Sequence, residues 1–571
     1  MFQLTNLIMC RRPFRFSFHH FLLLIVPVLM IASCNQQESE PPEQVIVKDP
    51  EKMDVRVASQ LKRVTEFAIQ NKGQINDTIK LAKDSLVEAA YRNHDYQPIW
   101  TTNENWLPEA DSLISFIGRS KEFGLFPSDY HYKSLIGTLF LLVDTAQQRD
   151  AAHWTRFELM LTDAFFELCK DLKQGRLSYD STTLRKDTIL PADLYFNSLN
   201  FLKSSKNVSG TLEALQPKHK GYDSLRLGLK FFLDSIKTFK RYTFLYYPSK
   251  DTAGFKTQLQ KRLFEDDLLP SATDPIDTAT WRRVLSDYQK SKGLRQTGRI
   301  NENTVASLNN TDWEKFKRIA INMDRYKLLP DTLPTTYIWV NLPAYNLRLM
   351  DSDTLALESR VIVGQTKTRT PVLTSAVTNF ITYPQWNVPE SIIFKEMLPA
   401  IRKDTNYLKK QNLMVVDKND SIISPSSINW YRLSKNYFPY RIKQREGDDN
   451  SLGVLKFNFA NKYAVYLHDT NARWLFAQAN RALSHGCVRV KEWEKLSHFL
   501  VRNNLDKYPP DTLRNWIKRE EKHVVWGFPR VPIYIRYFSA EGKNGKLKLY
   551  DDIYGEDRLL REKYFADKPV Q

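Results

Sequence analysis

Hydrophobic positions change their period along the chain, and this change predicts the order of its elements. From about residue 51 to 250 the apolar residues recur at helical spacing among many charges, as in DAFFELCKDLKQGRL. From Tyr337 onward the period is two, in strand-like runs such as YIWVNLPAYNLRLM, LESRVIVG and KYAVYLHDT, which turn residues separate. We therefore expect an α+β multidomain protein, with a helical N-terminal scaffold and a mainly β C-terminal domain.

Residues 255–330 predict three short helices with a glycine turn. The first helix ends at Gly293, and Thr311 with Glu314 forms a capping-box pair that opens the third. A plain helical bundle without a ligand would show the same periodicity, so that interpretation stays open. The region also resembles the three-helix kind of peptidoglycan-binding module, on these residues: Tyr288-Gln289, Gly293-Leu294, Gly298 and Thr304…Leu308.

A long polar segment with several aromatic residues interrupts the β domain at 404–450. Long insertions inside a compact domain tend to be functional lids or binding loops. We therefore expect this insertion to cap a cleft.

The N-terminus is typical of an export signal, which we place at 1–33. Three arginines precede a twelve-residue apolar run from Phe21 to Ala32, whereas a bilayer span needs about 20 residues. The run ends in IASC, which resembles a bacterial lipobox, so we expect Cys34 to be acylated and to anchor the chain. An ordinary signal peptide or a weak membrane anchor is the alternative.

The formal net charge of +18 narrows the partners only slightly. Such a charge favours polyanions, including nucleic acid, an anionic membrane face or a carboxylate-rich wall. The sequence lacks a zinc finger, an RNA-recognition signature and a compact basic arm, so we expect no nucleic-acid partner. A merely soluble basic surface would explain the charge equally well.

Four cysteines are too few for a disulfide scaffold in an exported protein. Cys10 and Cys34 belong to the signal region, and Cys169 sits in an apolar helical pattern, as a small buried hydrophobe would. Cys487 is the one thiol in a polar context that contains glycine. A lone cysteine accompanied by histidine is a candidate nucleophile.

Two segments carry the candidate chemistry. A strand-like run delivers His468 at its end, and Cys487 lies in SHGCVRV, before a predicted helix. A thiol reacts as its thiolate, which an imidazole, a guanidinium and a helix N-terminus all favour. We expect His468, Arg489 and that helix to supply these three effects. Gly486 leaves room for a carbonyl to approach main-chain N–H groups that form an oxyanion hole.

His468, fifteen intervening residues and then Ser484-His485-Gly486-Cys487 resemble the signature of the L,D-transpeptidase catalytic domain. VNLPAYNLRLM, VIVGQTKTRTPV, YPQWNVPESI, SLGVLKFNFAN and VPIYIRYFSAEGKNGKLKLYDDIYGED resemble the large diderm-bacterial subgroup of that family. That subgroup combines a scaffold, a peptidoglycan-binding helical module and a capped active site. The resemblance is strong over roughly 255–560 and weaker over 60–250.

The resemblance implies roles for individual residues. Cys487 would be the nucleophile that forms a thioester with a stem peptide, and His468 the proton acceptor and donor. The main-chain carbonyl of Asp469 would orient the imidazole, and the backbone at Gly486 would contribute to the oxyanion hole.

Three further residues would act on substrate. Arg489 would orient it or stabilise charge, Ser484 would shape the turn or contact substrate, and His485 would support the loop. A metal site is disfavoured, because the chain lacks the ligand spacing that zinc requires.

The implied reaction releases D-alanine from a tetrapeptide stem and joins the third-position residues of two stems, without a metal or organic cofactor. Hydrolysis by an L,D-carboxypeptidase, exchange with a D-amino acid, and an inactive wall-binding adaptor are the alternatives. The resemblance also implies glycan as a partner and inhibition by carbapenem-type β-lactams. We expect a periplasm-facing protein of the cell envelope, held by lipidated Cys34 in the outer rather than the inner membrane.

At 571 residues the chain exceeds the roughly 250–300 residues of a single core. The predicted units are these: signal 1–33, flexible tether 34–50, scaffold 51–254, helical module 255–330, catalytic domain 335–515 with the capping insertion 404–450, and a C-terminal segment 516–571 that completes the body.

Overall fold

The computed structural model describes residues 43–177, 189–247 and 250–569. The predicted signal, Cys34 and the first part of the tether lie outside the described residues. From residue 43 onward the described chain belongs to one compact unit. No helix in these ranges is both long enough and apolar enough to cross a bilayer.

The first region is helical around one central helix, α5, which is buried on nearly all sides. Asp150 caps this helix by accepting a hydrogen bond from the N–H of Ala152. Cys169 lies on it, fully buried, and burial raises the pKa of its thiol. The elements are α1 Met53–Gln70, α2 Asp84–Arg92, the hairpin β1 Thr101–Thr102 and β2 Asn105–Trp106, α3 Pro108–Gly118, α4 Tyr132–Leu142, α5 Ala151–Lys173, α6 Ala192–Ser205, α7 Val208–Glu213 and α8 Lys220–Asp234.

A second helical group follows, comprising α9 Thr252–Glu265, α10 Thr278–Ser291 and α11 Glu302–Asn309. Their apolar faces share one small core. Gln289 is fully buried there, and its amide hydrogen-bonds to Thr304 and to the main chain of Thr297 and Arg299. Glycine at 298 adopts φ +60°, as its turn requires.

Helix α12, Asp312–Tyr326, differs from its predicted grouping. Thr311 caps it through the N–H of Glu314, as the capping box predicts. Its apolar face, with Trp313 and Phe316, packs instead in a separate core with α8 and with residues after the last sheet strand, such as Phe538. The helix therefore joins the scaffold to the β domain.

The β domain is one ten-stranded sheet that surrounds an apolar core. Its order is β11-β12-β14-β5-β4-β3-β16-β6-β15, β13 pairs with β5, and β11 also pairs with β6, which closes the sheet on itself. The strands are β3 Thr336–Asn341, β4 Asn346–Asp351, β5 Thr354–Gly364, β6 Leu373–Thr382, β11 Leu455–Phe459, β12 Leu467–His468, β13 Ala482–Ser484, β14 Val488–Val490, β15 Val524–Val525 and β16 Val531–Arg536.

A smaller unit with its own core is inserted between β6 and β11. It begins at Trp386, earlier than the predicted 404–450, because Trp386 and Asn387 pair with β10. Its elements are β7 Trp386–Asn387, α13 Glu390–Ile392, a π-helical turn Ile393–Met397, α14 Leu398–Lys403, α15 Asn406–Lys410, β8 Leu413–Val416, β9 Ile422–Ile423 and β10 Arg441–Gln444. We call residues 386–444 the cap.

The C-terminal part divides between the two bodies. β15 and β16 complete the sheet, whereas the hairpin of β17 and β18 packs against α8 and the last helix packs against α12. The remaining elements are α16 Trp493–Val501, α17 Pro510–Lys518, β17 Ala540–Lys543, β18 Lys546–Leu549 and α18 Glu556–Tyr564.

Candidate active site

The candidate nucleophile and base come together because β12 and β14 are parallel neighbours. Leu467 pairs with Val488, and both are fully buried in the core of the sheet. Side chains alternate along strands, so His468 and Arg489, the next pair, face the opposite side. Cys487, just before β14, shares that side.

The same face receives two residues that the sequence motifs did not single out. Lys456 on β11 pairs directly with His468, and Tyr466 precedes His468 by one alternation. Lys456 Nζ lies 4.1 Å from the centre of the Tyr466 ring. The sequence LKFNF does indicate a strand in which Lys456 points away from the buried apolar residues. Only the pairing of β11 with β12 shows which residues that lysine faces.

Cys487 is half-buried, and burial raises the pKa of its thiol. The hydroxyl and main-chain N–H of Tyr466 act in the opposite direction, as do the charges of Lys456 and Arg489. The expected helix effect is wrong at this position, because strand β14 separates Cys487 from α16, which starts at Trp493.

The imidazole of His468 is neutral. Burial, followed by the charge of Arg489, lowers its pKa to about 3, although the main-chain carbonyls of Asp469 and Leu452 favour the protonated ring. Nδ1 has no hydrogen-bond partner of normal geometry. No hydrogen bond joins His468 to Cys487, whose Sγ instead lies 3.8 Å from the carbonyl oxygen of Ala464. The His468 ring therefore does not support the thiolate in this geometry as expected, whereas the charge of Arg489 acts in the expected direction.

Asp469 contributes through its side chain as well as its carbonyl. Its carboxylate accepts hydrogen bonds from the Arg473 guanidinium at 2.6 and 3.1 Å and from the N–H of Val454 at 3.1 Å. The residue is fully buried. These bonds fix the main chain that carries His468.

Ser484 and Gly486 shape the loop before the thiol. The Ser484 hydroxyl donates to the carbonyl of Cys487 at 2.6 Å and accepts from the N–H of Gly486 at 3.1 Å. Gly486 has φ +121°, a conformation that strains other residues. Thr370 Oγ1 donates to the Gly486 carbonyl at 2.8 Å. Because the Gly486 N–H is already donated, it is not available as an oxyanion donor in this state.

The cap reaches the loop at two points. His485 is exposed and points to the cap, where its Nε2 lies 2.9 Å from Oε1 of Glu396 in the π-helical turn. The Trp386 side chain faces the Tyr466 hydroxyl and lowers its pKa, against the larger effect of burial. His485 therefore contacts the cap rather than the thiol.

Two cations on the face lack an acidic partner. Among the described residues no ion pair joins Lys456 or Arg489 to a carboxylate, and Arg489 Nε has no hydrogen-bond partner. Burial lowers the pKa of both Lys456 and Arg489, and the charge of Cys487 acts in the opposite direction. Partly buried cations without a carboxylate partner, beside a candidate nucleophile, suit an anionic ligand.

Within the described ranges, no cluster of three His, Cys, Asp or Glu residues has the geometry of a metal site.

Comparisons with known proteins cover both main regions. Residues 85–229 match the family model of a scaffold domain, and residues 335–507 match that of the L,D-transpeptidase catalytic domain. A curated relative from Haemophilus influenzae, named "Putative L,D-transpeptidase", is 37% identical over 245 residues, which are 43% of this chain and 49% of the relative. The chain thus spans about half the length of that relative.

Two solved structures also match. One is the Ldtfm–avibactam carbamoyl enzyme, at 13% identity and TM-score 0.16, covering 36% of this chain and 49% of that one. The other is the L,D-transpeptidase of Xylanimonas cellulosilytica, at 14% identity and TM-score 0.14, covering 53% of this chain and 98% of that one.

Proposed function

We propose that this chain, which carries a scaffold domain and an L,D-transpeptidase catalytic domain, cross-links peptidoglycan stem peptides through an acyl-enzyme on Cys487. One observation carries the proposal. Cys487, His468, Lys456 and Arg489 share one face of the sheet at the contact with the cap, and the two cations there have no acidic partner.

The unpaired cations fit the substrate class. Stem peptides bear carboxylates, and a carboxylate near Arg489 and Lys456 would neutralise charges that now lower the pKa of His468. The imidazole would then become a better base as substrate docks. Substrate binding, rather than the resting protein, would generate the thiolate.

The reaction proceeds in two acyl transfers. Cys487 Sγ attacks the carbonyl of the third stem residue, and its proton passes to His468. The C–N bond to D-alanine breaks, and His468 returns the proton to the leaving amine. The amine of a second stem then attacks the thioester, His468 takes the amine proton, and the proton returns to Cys487 as the thiol leaves.

The oxyanion donor follows from the loop geometry. Since Gly486 donates its N–H to Ser484, the main-chain N–H of Cys487 is the donor that we assign to the tetrahedral oxygen. The substrate carbonyl must approach the sulfur closely, and a side chain at position 486 would obstruct it. Glycine at this position agrees with that requirement.

Two experiments test the proposal. Wild-type protein with purified muropeptides should give dimers and free D-alanine, whereas Cys487→Ala should give neither and Cys169→Ala should behave as wild type. Shortened monomers alone would indicate a carboxypeptidase, and incorporation of an added D-amino acid would indicate exchange. Full cross-linking by Cys487→Ala would refute the assignment.

A carbapenem supplies a second readout. We expect intact-mass spectrometry to show one adduct, on Cys487, because Cys169 is fully buried. Absence of an adduct at high carbapenem concentration would contradict an acylable thiol.

We further propose that Cys34 carries lipid and holds the protein in the cell envelope, facing the periplasm, with the outer membrane favoured. Labelling with an alkyne fatty acid should mark wild type and not Cys34→Ala. Label retained by Cys34→Ala would refute the anchor.

A further inference from the structure

A cavity that Cys487 does not line lies where the scaffold, the sheet and the C-terminal helix meet. Its volume is about 300 Å³, within the usual range for small-molecule sites. It is lined by Arg325 and Leu328 of α12, Val372 to Thr374 at the start of β6, Arg536 to Phe538 at the end of β16, and Glu556 and Leu560 of α18. None of these residues has a role in the proposed reaction.

The lining includes the positive charge of Arg536, which has no counter-ion among the described residues. Its guanidinium donates to the Leu373 carbonyl and to Thr374 Oγ1, both at 2.7 Å, but no ion pair joins it to a carboxylate among the described residues. Burial lowers its pKa to about 10. A guanidinium held this way costs free energy unless an anion accompanies it.

The lining also includes the carboxyl group of Glu556, which has no ion-pair partner among the described residues. Its side chain has no hydrogen bond or ion pair within the described chain, and burial raises its pKa to about 7. Glu556 and Arg536 both line the cavity, and no ion pair joins them among the described residues.

The charge of Arg325 acts on Glu556 and opposes the rise of its pKa, but the Arg325 guanidinium forms its ion pair with another carboxylate. Its Nη1 lies 2.6 Å from Oδ1 of Asp557, which forms the ion pair behind the wall. Nη2 of Arg325 has no hydrogen-bond partner and remains a further donor at this side. The rest of the lining is mostly apolar, including Leu328, Val372 and Leu560.

A cavity whose lining holds a guanidinium and a carboxyl that are not ion-paired to each other, together with apolar side chains, matches one chemical class. We propose that it binds a free α-amino acid, with the carboxylate on Arg536, the ammonium on Glu556 and the side chain against the apolar wall. The site stands independently of the proposed function, because no residue is shared with the Cys487 face.

Isothermal titration of the full chain with L-leucine and with D-alanine tests the site. The half-ligands propionate and propylamine are titrated in parallel. We expect at least one amino acid to bind at least about tenfold more tightly than either half-ligand, since only a zwitterion engages both Arg536 and Glu556. Equal affinities for the amino acids and the half-ligands would overturn the proposal.

Variants separate this site from the Cys487 face. Glu556→Gln, which keeps the shape of the side chain, should weaken the amino acid at least about tenfold and leave propionate unchanged. Val372→Phe fills the cavity and should abolish binding, with thermal melting as the check that each variant is folded. Cys487→Ala should bind as wild type, and loss of binding in that variant or unchanged binding in both cavity variants would overturn the assignment.

Discussion

The scaffold and the candidate active site both bury charged groups, but they treat them differently. Glu158 on α5 is fully buried, and its two oxygens accept four hydrogen bonds, from the N–H groups of Ile99 and Trp100 and the hydroxyls of Tyr91 and Thr101. Burial alone would make this carboxylate costly, and the four donors offset that cost. The network ties α5 to the chain around β1.

On the sheet face around Cys487, the polar groups are left incomplete. His468 Nδ1 and Arg489 Nε lack partners, and Lys456 has no carboxylate. Buried polar atoms in folded proteins are nearly always paired. Unpaired ones also occur in the scaffold, among them Ser120 Oγ and His219 Nε2, so those around Cys487 point to a ligand because they lie beside a candidate nucleophile. The comparison contrasts a buried carboxylate whose hydrogen bonds stabilise the fold with polar groups that, under the proposed function, substrate would pair.

The largest expected effect concerns the sheet face around Cys487. His468→Ala should lower turnover by roughly 10²- to 10⁴-fold, because proton transfer to and from the thiol is lost. Its melting temperature should stay near wild type, since the ring makes no hydrogen bond that the fold requires. Muropeptide kinetics and thermal melting measure the two quantities.

His498→Ala is the matched control, since His498 lies on α16 and is not on the sheet face. It should leave turnover unchanged. Near-normal turnover in His468→Ala would remove the base from the mechanism.

The next largest effect concerns the hydrogen bonds of Glu158 in the scaffold. Glu158→Ala leaves four buried donors without an acceptor and should lower the free energy of unfolding by roughly 3–5 kcal/mol. Chemical denaturation checks it, with exposed Glu51→Ala as control. A loss no larger than that of the control would mean that the network does not stabilise the scaffold.

A smaller effect concerns the thiol. Because burial raises the pKa of Cys487, alkylation by iodoacetamide should keep rising with pH above the ordinary thiol range rather than level off near neutrality. Lys456→Met removes a charge that favours the thiolate, so the profile should move to higher pH. The rate at about pH 8 should then fall by up to roughly tenfold.

Lys462→Met is the control, as Lys462 is exposed. An unmoved profile in Lys456→Met would show that the lysine does not act on the sulfur. A plateau at neutral pH in wild type would instead show a preformed thiolate.

The smallest effect is expected at the contact of the cap with His485. His485 and Glu396 are both largely exposed, and such pairs contribute less than about 1 kcal/mol. His485→Gln should therefore change stability little and alter the KM for stem peptides more than kcat. A loss of kcat comparable to that of His468→Ala would place His485 in the chemistry.

Local sequence patterns predicted much of the fold and the pairing of His468 with Cys487 on one face. The change of period from helical to alternating predicted where the sheet starts, and the spacing of His468 and Cys487 predicted two residues that the structure brings to one face. Thr311 and Glu314 predicted a helix start correctly, because a cap depends on neighbours in sequence.

Properties that depend on distant contacts were not predictable in this way. Lys456 and Tyr466 join the site through strand pairing, which local sequence does not specify. The cap includes Trp386 because that residue pairs with β10, far along the chain. The state of the Cys487 thiol depends on how deeply it is enclosed, and its motif suggested the opposite direction.

The position of β16 has a consequence for how the chain matures. This late strand lies between β3 and β6, pairing in parallel with the first and antiparallel with the second. A chain still being synthesised would hold both neighbours with open edges until Val531–Arg536 arrives. Assembly of the sheet must therefore wait for nearly the whole polypeptide, and any factor that shields exposed edges would matter most in that interval.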